Sequence, residues 1–146
     1  MQRRSGRLLA AAAVLALVAD QVSKAAIRSN FALGDSVPLI KGVINLTYVR
    51  NVGAAFGLFP GRLAVFIVIA LGVIAGVAWV WWRLRPTSAW VTVALGLVAG
   101  GAAGNLIDRV VAGRVTDFFD LGWFPVFNVA DMALDIGVAI LLVWML

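Results

Sequence analysis

Four apolar segments of roughly membrane-spanning length constrain this chain more than any other feature. They cover residues 8–27, 63–82, 89–106 and 128–146. A helix needs about 20 mostly apolar residues to cross a hydrocarbon core roughly 30 Å thick. Because 63% of only 146 residues are hydrophobic, a water-soluble domain of this size could not bury them all. The sequence therefore predicts an all-α membrane protein with four transmembrane helices in a single domain over residues 1–146.

Arginines beside the apolar segments indicate how these helices are oriented. Five of the twelve Lys and Arg residues fall on the side of the N-terminus: Arg3, Arg4, Arg7, Arg83 and Arg85. The remaining cations share the other side with all seven acids, so a plain count does not decide the orientation. The positive-inside rule applies to short loops, however, and the turn at residues 83–86, flanked by tryptophans, is such a loop. We expect both termini in the cytoplasm and a retained first helix, since Asp20 and Lys24 follow where a signal-peptide cleavage site belongs.

The two longer connections, residues 28–62 and 107–127, then lie on the outer face of the membrane. Between residues 41 and 51 the side chains alternate, with one face formed by Ile44, Leu46 and Tyr48. A period of two residues is typical of a β-strand. The sequence therefore predicts a small extracytoplasmic β-sheet and loop region lying on the membrane surface.

Composition limits the chemistry that this chain can perform. It has no cysteine and no histidine, which excludes thiolate nucleophiles, Cys/His zinc sites and a Ser-His-Asp triad. All seven acidic residues are aspartates: Asp20, Asp35, Asp108, Asp117, Asp120, Asp131 and Asp135. The net charge is +5, but no basic run is interleaved with aromatic residues, so nucleic-acid binding is not expected. If the chain is an enzyme, aspartate is the first candidate for acid–base chemistry, and no metal or cofactor is expected.

Asp20 and Lys24 interrupt the first apolar segment and are four residues apart, so both fall on one helix face. Ionisable groups are costly within the hydrocarbon and usually face protein or water. We interpret the two residues as a structural ion pair that holds this helix against its neighbours. A direct catalytic role for Asp20 is the alternative.

The third apolar segment ends in small residues, from Gly100 to Gly104, which predicts close helix packing. Asn105 and Asp108 follow on one helix face, and Arg109 comes next. An arginine at a helix end can extend towards the membrane surface or bind a carbonyl or carboxylate. By itself this cluster is as typical of a solvated helix end as of a functional site.

Asp117 and Asp131 are two further candidates for a paired carboxylate site, at the outer ends of the third and fourth helices. Asn128 precedes Asp131 by three residues, so its amide shares a helix face with that carboxylate. Two carboxyl groups in a half-buried site cannot both ionise cheaply, so one keeps a proton while the other acts as a base. That state suits water attack on an amide carbonyl. Cation or proton handling, and a purely structural role, remain open on the residues alone.

Five short motifs, in order along nearly the whole chain, resemble the lipoprotein signal peptidase (signal peptidase II) family. They are residues 20–24 (DQVSK), 51–57 (NVGAAFG), 104–109 (GNLIDR), 115–118 (VTDF) and 127–131 (FNVAD). The resemblance implies an aspartyl endopeptidase of the bacterial inner membrane. Such an enzyme cuts the signal peptide from a prolipoprotein just before a cysteine that carries diacylglycerol.

The resemblance also implies roles for individual residues. Asp117 and Asp131 would be the catalytic pair, while Asp20 and Lys24 would be structural. The substrate-binding or supporting residues would be Asn51, Gly53, Asn105, Asp108, Arg109 and Asn128. Asp108 is the rival for membership of the pair, but we interpret it as orienting Arg109 or nearby backbone. We further expect the surface sheet near residues 51–57 to clamp the peptide, and Phe56 or Leu58 to line the lipid-facing edge. Lipidated prolipoprotein and membrane lipids are the expected partners of a monomer.

One segment and one residue depart from the family pattern. The segment between the two aspartates, residues 118–130, is shorter than usual, which could narrow the roof of the site. Thr116 stands where valine is common, and its hydroxyl could form a hydrogen bond near Asp117.

Two other classes of protein compete with the peptidase. A small ion- or proton-coupled transport subunit would need aspartates near the middle of the membrane, whereas the candidate aspartates cluster towards one side. A scaffold that packs against a partner would explain the small residues of the third helix but would leave Asp117 and Asp131 without a purpose.

Overall fold

The computed structural model describes residues 2–53 and 63–146 and contains four helices and three strands in these ranges. The helices are α1 (Gln2–Asn30), α2 (Leu63–Leu84), α3 (Ala89–Ala112) and α4 (Val129–Met145). The strands are β1 (Ser36–Ile40), β2 (Ile44–Asn51) and β3 (Val115–Asp120). Each predicted apolar segment is a helix, so the mostly helical fold with a small sheet is confirmed.

Three of the described helices are long and apolar enough to cross a membrane: Arg4–Asn30, Leu63–Leu84 and Ala89–Ala112. Helix α4 has 17 residues, so the prediction of four transmembrane helices is confirmed for three, and the fourth crossing stays a prediction. Helix α1 extends beyond its predicted segment at both ends, and α3 extends beyond its segment at the C-terminal end. The added turns carry polar residues, which hydropathy alone does not count as part of a membrane span.

Small residues allow α3 to pack closely against its neighbours. A Cβ atom added to Gly100 would collide with backbone of Ala13 in α1, and one added to Gly104 would collide with the carboxylate of Asp20. Gly101 faces the backbone of α4 in the same way. The predicted close packing of this helix is therefore confirmed, and it brings Asp20 against the part of α3 that leads into the site.

The three strands form one antiparallel sheet in the order β1-β2-β3. The predicted strand is present as β2, whereas β1 and β3 were not predicted. In the pairing of β2 with β3, Val49 lies opposite Asp117. An apolar cluster of Ile27, Tyr48 and Phe118 joins this sheet to α1, so the sheet is held at one end of the helices.

Candidate active site

Asp131 lies in the first turn of α4, where the cap of the helix fixes its position. Asn128 is the N-cap residue, and its side-chain oxygen accepts a hydrogen bond of 3.0 Å from the backbone N–H of Asp131. In return, Oδ2 of Asp131 accepts a bond of 3.1 Å from the backbone N–H of Asn128. This capping box satisfies N–H groups that a helix start leaves unpaired.

Asp117 lies on β3 and is buried, and two asparagine side chains donate to its carboxylate. Nδ2 of Asn51 is 2.9 Å from Oδ2, and Nδ2 of Asn128 is 2.6 Å from Oδ1. Asn128 thus binds both Asp117 and Asp131, which places the two carboxyl groups in one site.

Asn105 on α3 donates from Nδ2 to Oδ1 of Asp131 over 2.8 Å. Its own side-chain oxygen accepts bonds from Nδ2 of Asn128 at 3.1 Å and from Nζ of Lys24 at 3.0 Å. Because an ammonium group can only donate, Lys24 fixes the amide of Asn105 with its NH₂ group towards Asp131. This contact links the aspartate pair to a buried cluster of charges.

That buried cluster centres on Lys24. Its Nζ lies 2.9 Å from Oδ2 of Asp20 and 3.2 Å from Oδ2 of Asp108, and the side chains of Lys24 and Asp20 are 0% exposed. Oδ1 of Asp20 also accepts a 2.9 Å bond from the backbone N–H of Ala130. The ion pair inferred from the sequence is therefore present, and it ties α1 to the start of α4.

Asp108 lies in this charged cluster, and its partners among the described residues are Gln21, Lys24, Arg28 and the backbone of Thr116. Its Oδ2 accepts a 3.0 Å bond from the backbone N–H of Thr116, which agrees with the interpretation that it orients nearby backbone. The hydroxyl of Thr116 accepts from Arg28 rather than bonding to Asp117. Sequence reasoning missed Gln21, whose amide donates to the carboxylates of Asp20 and Asp108.

A cavity of about 490 Å³ opens beside the aspartate pair. Six predicted site residues line this cavity: Asn51, Gly53, Asn105, Arg109, Asp117 and Asp131. Asn128 lies buried behind them, bonded to both carboxylates. The guanidinium of Arg109, which lines the cleft, lies 5.2 Å from the ring centre of Phe66 on α2.

The other wall of the cleft comes from the short segment between the two aspartates. It contributes the aromatic side chains of Trp123, Phe124 and Phe127, and α4 adds Met132 and Asp135. Sequence reasoning singled out the shortness of this segment but did not predict these contacts. The concentration of aromatic residues between two candidate aspartates is the signal that could have indicated them.

Burial raises the pKa of Asp117 to about 6 from its ordinary 3.8, opposed by the hydrogen bond from Asn51 and reinforced by the nearby charge of Asp131. No Lys or Arg within residues 2–53 and 63–146 lies within ion-pair distance of Asp117 or Asp131. Neutral amides bind both carboxyl groups, so nothing in contact with them fixes both in the ionised state. Such a pair can hold one proton and exchange it with a bound water or substrate.

One prediction about this site is wrong. Asp117 was expected at the outer end of the third helix, but α3 ends before Gly113, which adopts φ 68°, and Asp117 lies on β3. Pairing with β2 creates that strand. The expected edge residues Phe56 and Leu58, and the part of the surface-loop motif beyond Gly53, lie outside the described residues.

Known proteins resemble this chain over most of its length. A family model described as signal peptidase (SPase) II matches residues 12–146. The lipoprotein signal peptidase of Brevibacillus brevis is 48% identical over 136 residues, which cover 92% of this chain and 90% of that protein. The lipoprotein signal peptidase of Syntrophomonas wolfei is 47% identical over 133 residues, which cover 91% and 89%.

Solved structures agree with the fold. Two structures of a bacterial membrane enzyme, obtained in meso at 2.3 Å and 1.9 Å resolution, superpose with TM-scores of 0.88 and 0.86. Both are 35% identical and cover 92% of this chain, and the match extends over 84% and 90% of their own lengths. Three of the described helices are long and apolar enough to cross a membrane. This finding and the likeness to membrane enzymes identify the chain as an integral membrane protein.

Proposed function

The chain belongs to the signal peptidase II family and cleaves the signal peptides of lipoproteins, and we propose that it does so as an aspartyl endopeptidase with Asp117 and Asp131 as the catalytic pair. The observation that carries this proposal is the bonding of both carboxyl groups by one buried asparagine, Asn128, beside a cleft of about 490 Å³. Ion or proton transport, the alternative considered from the sequence, is not favoured by these relatives.

The proposed reaction uses one proton shared by the pair. The carboxylate of Asp131 removes a proton from a water molecule, whose oxygen attacks the scissile carbonyl carbon. The carboxyl of Asp117 gives its proton to the carbonyl oxygen, and a tetrahedral diol forms. A proton then passes from Asp131 to the amide nitrogen, the C–N bond breaks, and a diol proton returns to Asp117. The products are a carboxyl group on the signal peptide and a free amine on the lipoprotein.

We assign the starting proton to Asp117 because its raised pKa, about 6, already lies near neutrality. A substrate that displaces water from the cleft disfavours the ionised form further. Asp131 receives a hydrogen bond from the amide of Asn105 and another from the backbone N–H of Asn128, and Asp117 likewise receives two from asparagine amides. The two carboxyl groups differ in that Asp131 lies in the first turn of α4. Its location at the positive end of a helix favours a carboxylate there.

The remaining cleft residues divide into two groups by their contacts. Asn51, Asn105 and Asn128 each donate to an aspartate, so we propose that they position the pair. Arg109 and Gly53 line the cleft without bonding an aspartate in the described ranges, so we propose that they bind the substrate backbone.

The lipid part of the substrate needs an opening towards the bilayer. Helices α2 and α4 both pack on α3, but in the part of the chain that the structure describes they make no extensive contact with each other. The cleft reaches Met132, an exposed apolar residue of α4. We propose that the diacylglycerol chains enter between α2 and α4, so that the scissile bond meets the pair at the membrane surface.

The location of the enzyme follows from the same reasoning. We propose that it resides in the bacterial inner membrane as a monomer, with both termini cytoplasmic and the sheet on the outer face. The arginine-bearing turn between α2 and α3 would then face the cytoplasm. This orientation puts the aspartate pair on the side to which prolipoproteins are exported.

The test is cleavage of a diacylated prolipoprotein peptide by the full-length protein in proteoliposomes. We expect Asp117→Asn and Asp131→Asn to lower the rate by about 10³-fold or more, because each removes an essential acid–base group. Both variants should remain folded, which a cooperative tryptophan-fluorescence unfolding transition checks.

Matched controls lie beside each catalytic residue. Asp120→Asn removes a carboxylate from the same strand as Asp117, and Asp135→Asn removes one from the cleft face of α4. Both variants should cleave the peptide at a rate within a few-fold of the wild-type rate. Cleavage at the wild-type rate by either member of the proposed pair would exclude this mechanism.

A further inference from the structure

A second cavity, of about 240 Å³, lies on the side of β2 and β3 opposite the cleft. Successive strand residues point to opposite faces, so Arg50 and Thr116 face this cavity while their neighbours Asn51 and Asp117 face the active site. Three arginines from three separate parts of the chain line the cavity, and none of them was assigned a role from the sequence: Arg28, Arg50 and Arg114.

The positive charge of this cavity is poorly balanced. Arg28 donates to the Thr116 hydroxyl and lies 3.8 Å from Asp108, whose carboxylate is already bonded to Lys24. Arg50 donates from Nε to the Tyr48 hydroxyl at 3.0 Å. Among the described residues, neither Arg50 nor Arg114 lies within ion-pair distance of a carboxylate. Three arginines and one carboxylate, that of Asp108, therefore line the cavity, and this excess of guanidinium groups fits an anion with several oxygen acceptors.

An apolar border distinguishes this cavity from a site for a free anion. Ile107 and Val111, one turn apart near the end of α3, line it and are 38% and 81% exposed. Both belong to a helix that is long and apolar enough to span the membrane. A ligand that fills the cavity would thus place a negative group against the arginines and hydrocarbon against α3.

We propose that this cavity binds the phosphodiester headgroup of an anionic phospholipid, with the acyl chains running along Ile107 and Val111. A zwitterionic lipid fits less well because its ammonium group would enter a cavity that is already cationic. Basic pockets between transmembrane helices on the cytoplasmic side of membranes bind anionic lipid headgroups, and the pairing of guanidinium with phosphate does not depend on the side of the membrane. The bound lipid would hold β2 and β3 at the level of the headgroups, directly behind the catalytic aspartate Asp117.

The test is lipid retention by the full-length protein in nanodiscs that contain equal amounts of phosphatidylglycerol and phosphatidylcholine. After loosely held lipid is removed, native mass spectrometry measures the ratio of the two lipids that remain bound. We expect a preference for phosphatidylglycerol of about tenfold in the wild type, which Arg50→Gln/Arg114→Gln abolishes. These two arginines are chosen because neither bonds the charged cluster, and unfolding midpoints check that the variant is folded.

The control is Arg83→Gln/Arg85→Gln, which removes the same charge from exposed arginines at the opposite end of the helices. We expect this variant to keep the wild-type preference. Equal loss in both double variants would overturn the proposal by showing a general charge effect, and so would an unchanged preference in Arg50→Gln/Arg114→Gln. Displacement of the lipid by inorganic phosphate alone would assign the cavity to a free anion instead of a lipid.

Discussion

Asp20 and Asp117 are equally hidden from solvent, at 0% and 2% exposed, yet their carboxylates have different surroundings. Asp20 shares the ammonium of Lys24 with Asp108, whereas Asp117 and Asp131 receive hydrogen bonds from neutral amides. A buried carboxylate that is bound by neutral amides and has no cation in contact with it can take up a proton. Under the proposed mechanism, the partner of a buried aspartate, more than its burial, separates the structural role of Asp20 from the catalytic role of Asp117.

Asn105 connects the two regions. Its side-chain oxygen accepts from Lys24 in the charged cluster, and its amide donates to Asp131 in the pair. The cluster therefore has an indirect part in the proposed chemistry, because it sets which end of Asn105 faces the catalytic carboxyl group.

The largest effect on stability should come from breaking the charged cluster. Asp20→Asn leaves Lys24 short of a buried partner, so we expect the free energy of unfolding to fall by about 3–5 kcal/mol. Denaturant unfolding followed by tryptophan fluorescence measures this loss. Asp35→Asn, which changes an exposed loop aspartate, should have a small effect. A stable Asp20→Asn protein that cannot cleave substrate would instead place Asp20 in the catalytic machinery.

A smaller, mainly kinetic effect is expected where the two regions meet. Asn105→Ala removes the donor to Asp131, and we expect kcat to fall about 10²-fold, as for loss of one preorganised donor in an enzyme site. Steady-state cleavage of the diacylated peptide measures it, with Asn45→Ala on β2 as the control outside the cleft. Wild-type kcat in Asn105→Ala would show that Asp131 needs no positioning through this amide.

The smallest expected effect concerns the way in which the free energy of unfolding depends on pH through Asp117. The pKa of Asp117 is higher in the folded chain, about 6, than its ordinary 3.8, so the folded state binds the proton more tightly and stability falls as pH rises through this window. Asp117→Asn removes that fall. Its unfolding free energy relative to the wild type should therefore increase by about 2–3 kcal/mol between pH 4 and pH 7.

Thermal unfolding curves across this pH range provide the measurement. The hydrogen bonds that Asp117→Asn replaces change the unfolding free energy by an amount that does not vary with pH. The test of the pKa is therefore how the difference between variant and wild type changes with pH. Thr116→Val, which removes no ionisable group from the same strand, should show the wild-type pH dependence. If the unfolding free energies of the wild type and Asp117→Asn changed equally with pH, a proton-binding carboxyl without a cation partner at this position would be contradicted.

Hydropathy predicted the helices well because membrane-spanning length and apolar composition are local properties. The start of α2 at Leu63 was predicted correctly, but α3 continues beyond Leu106 to Ala112. Its last turns carry Asp108, which looks like a helix end in the sequence and is instead neutralised by Lys24 of α1. A contact across 84 positions of the chain cannot be read from local composition.

The strand that carries Asp117 shows a second limit of prediction from the sequence. Residues 115–120 contain β-branched and aromatic residues that favour a strand, but their pairing with β2 joins parts of the chain that are far apart in sequence. Family resemblance predicted which asparagines belong to the site. The orientation of their amides depends on donors such as Lys24 and the backbone of Gly53, so it became visible only in three dimensions.

Infrared difference spectroscopy of the carboxyl groups, recorded as pH is varied, tests the shared proton most directly. We expect the membrane-embedded enzyme to show one protonated carboxyl that titrates at a pH near 6, in line with the pKa of Asp117. Its signal should vanish in Asp117→Asn and persist in Asp135→Asn. A signal that survives in Asp117→Asn, or none near neutrality in the wild type, would contradict the assignment of the proton to Asp117.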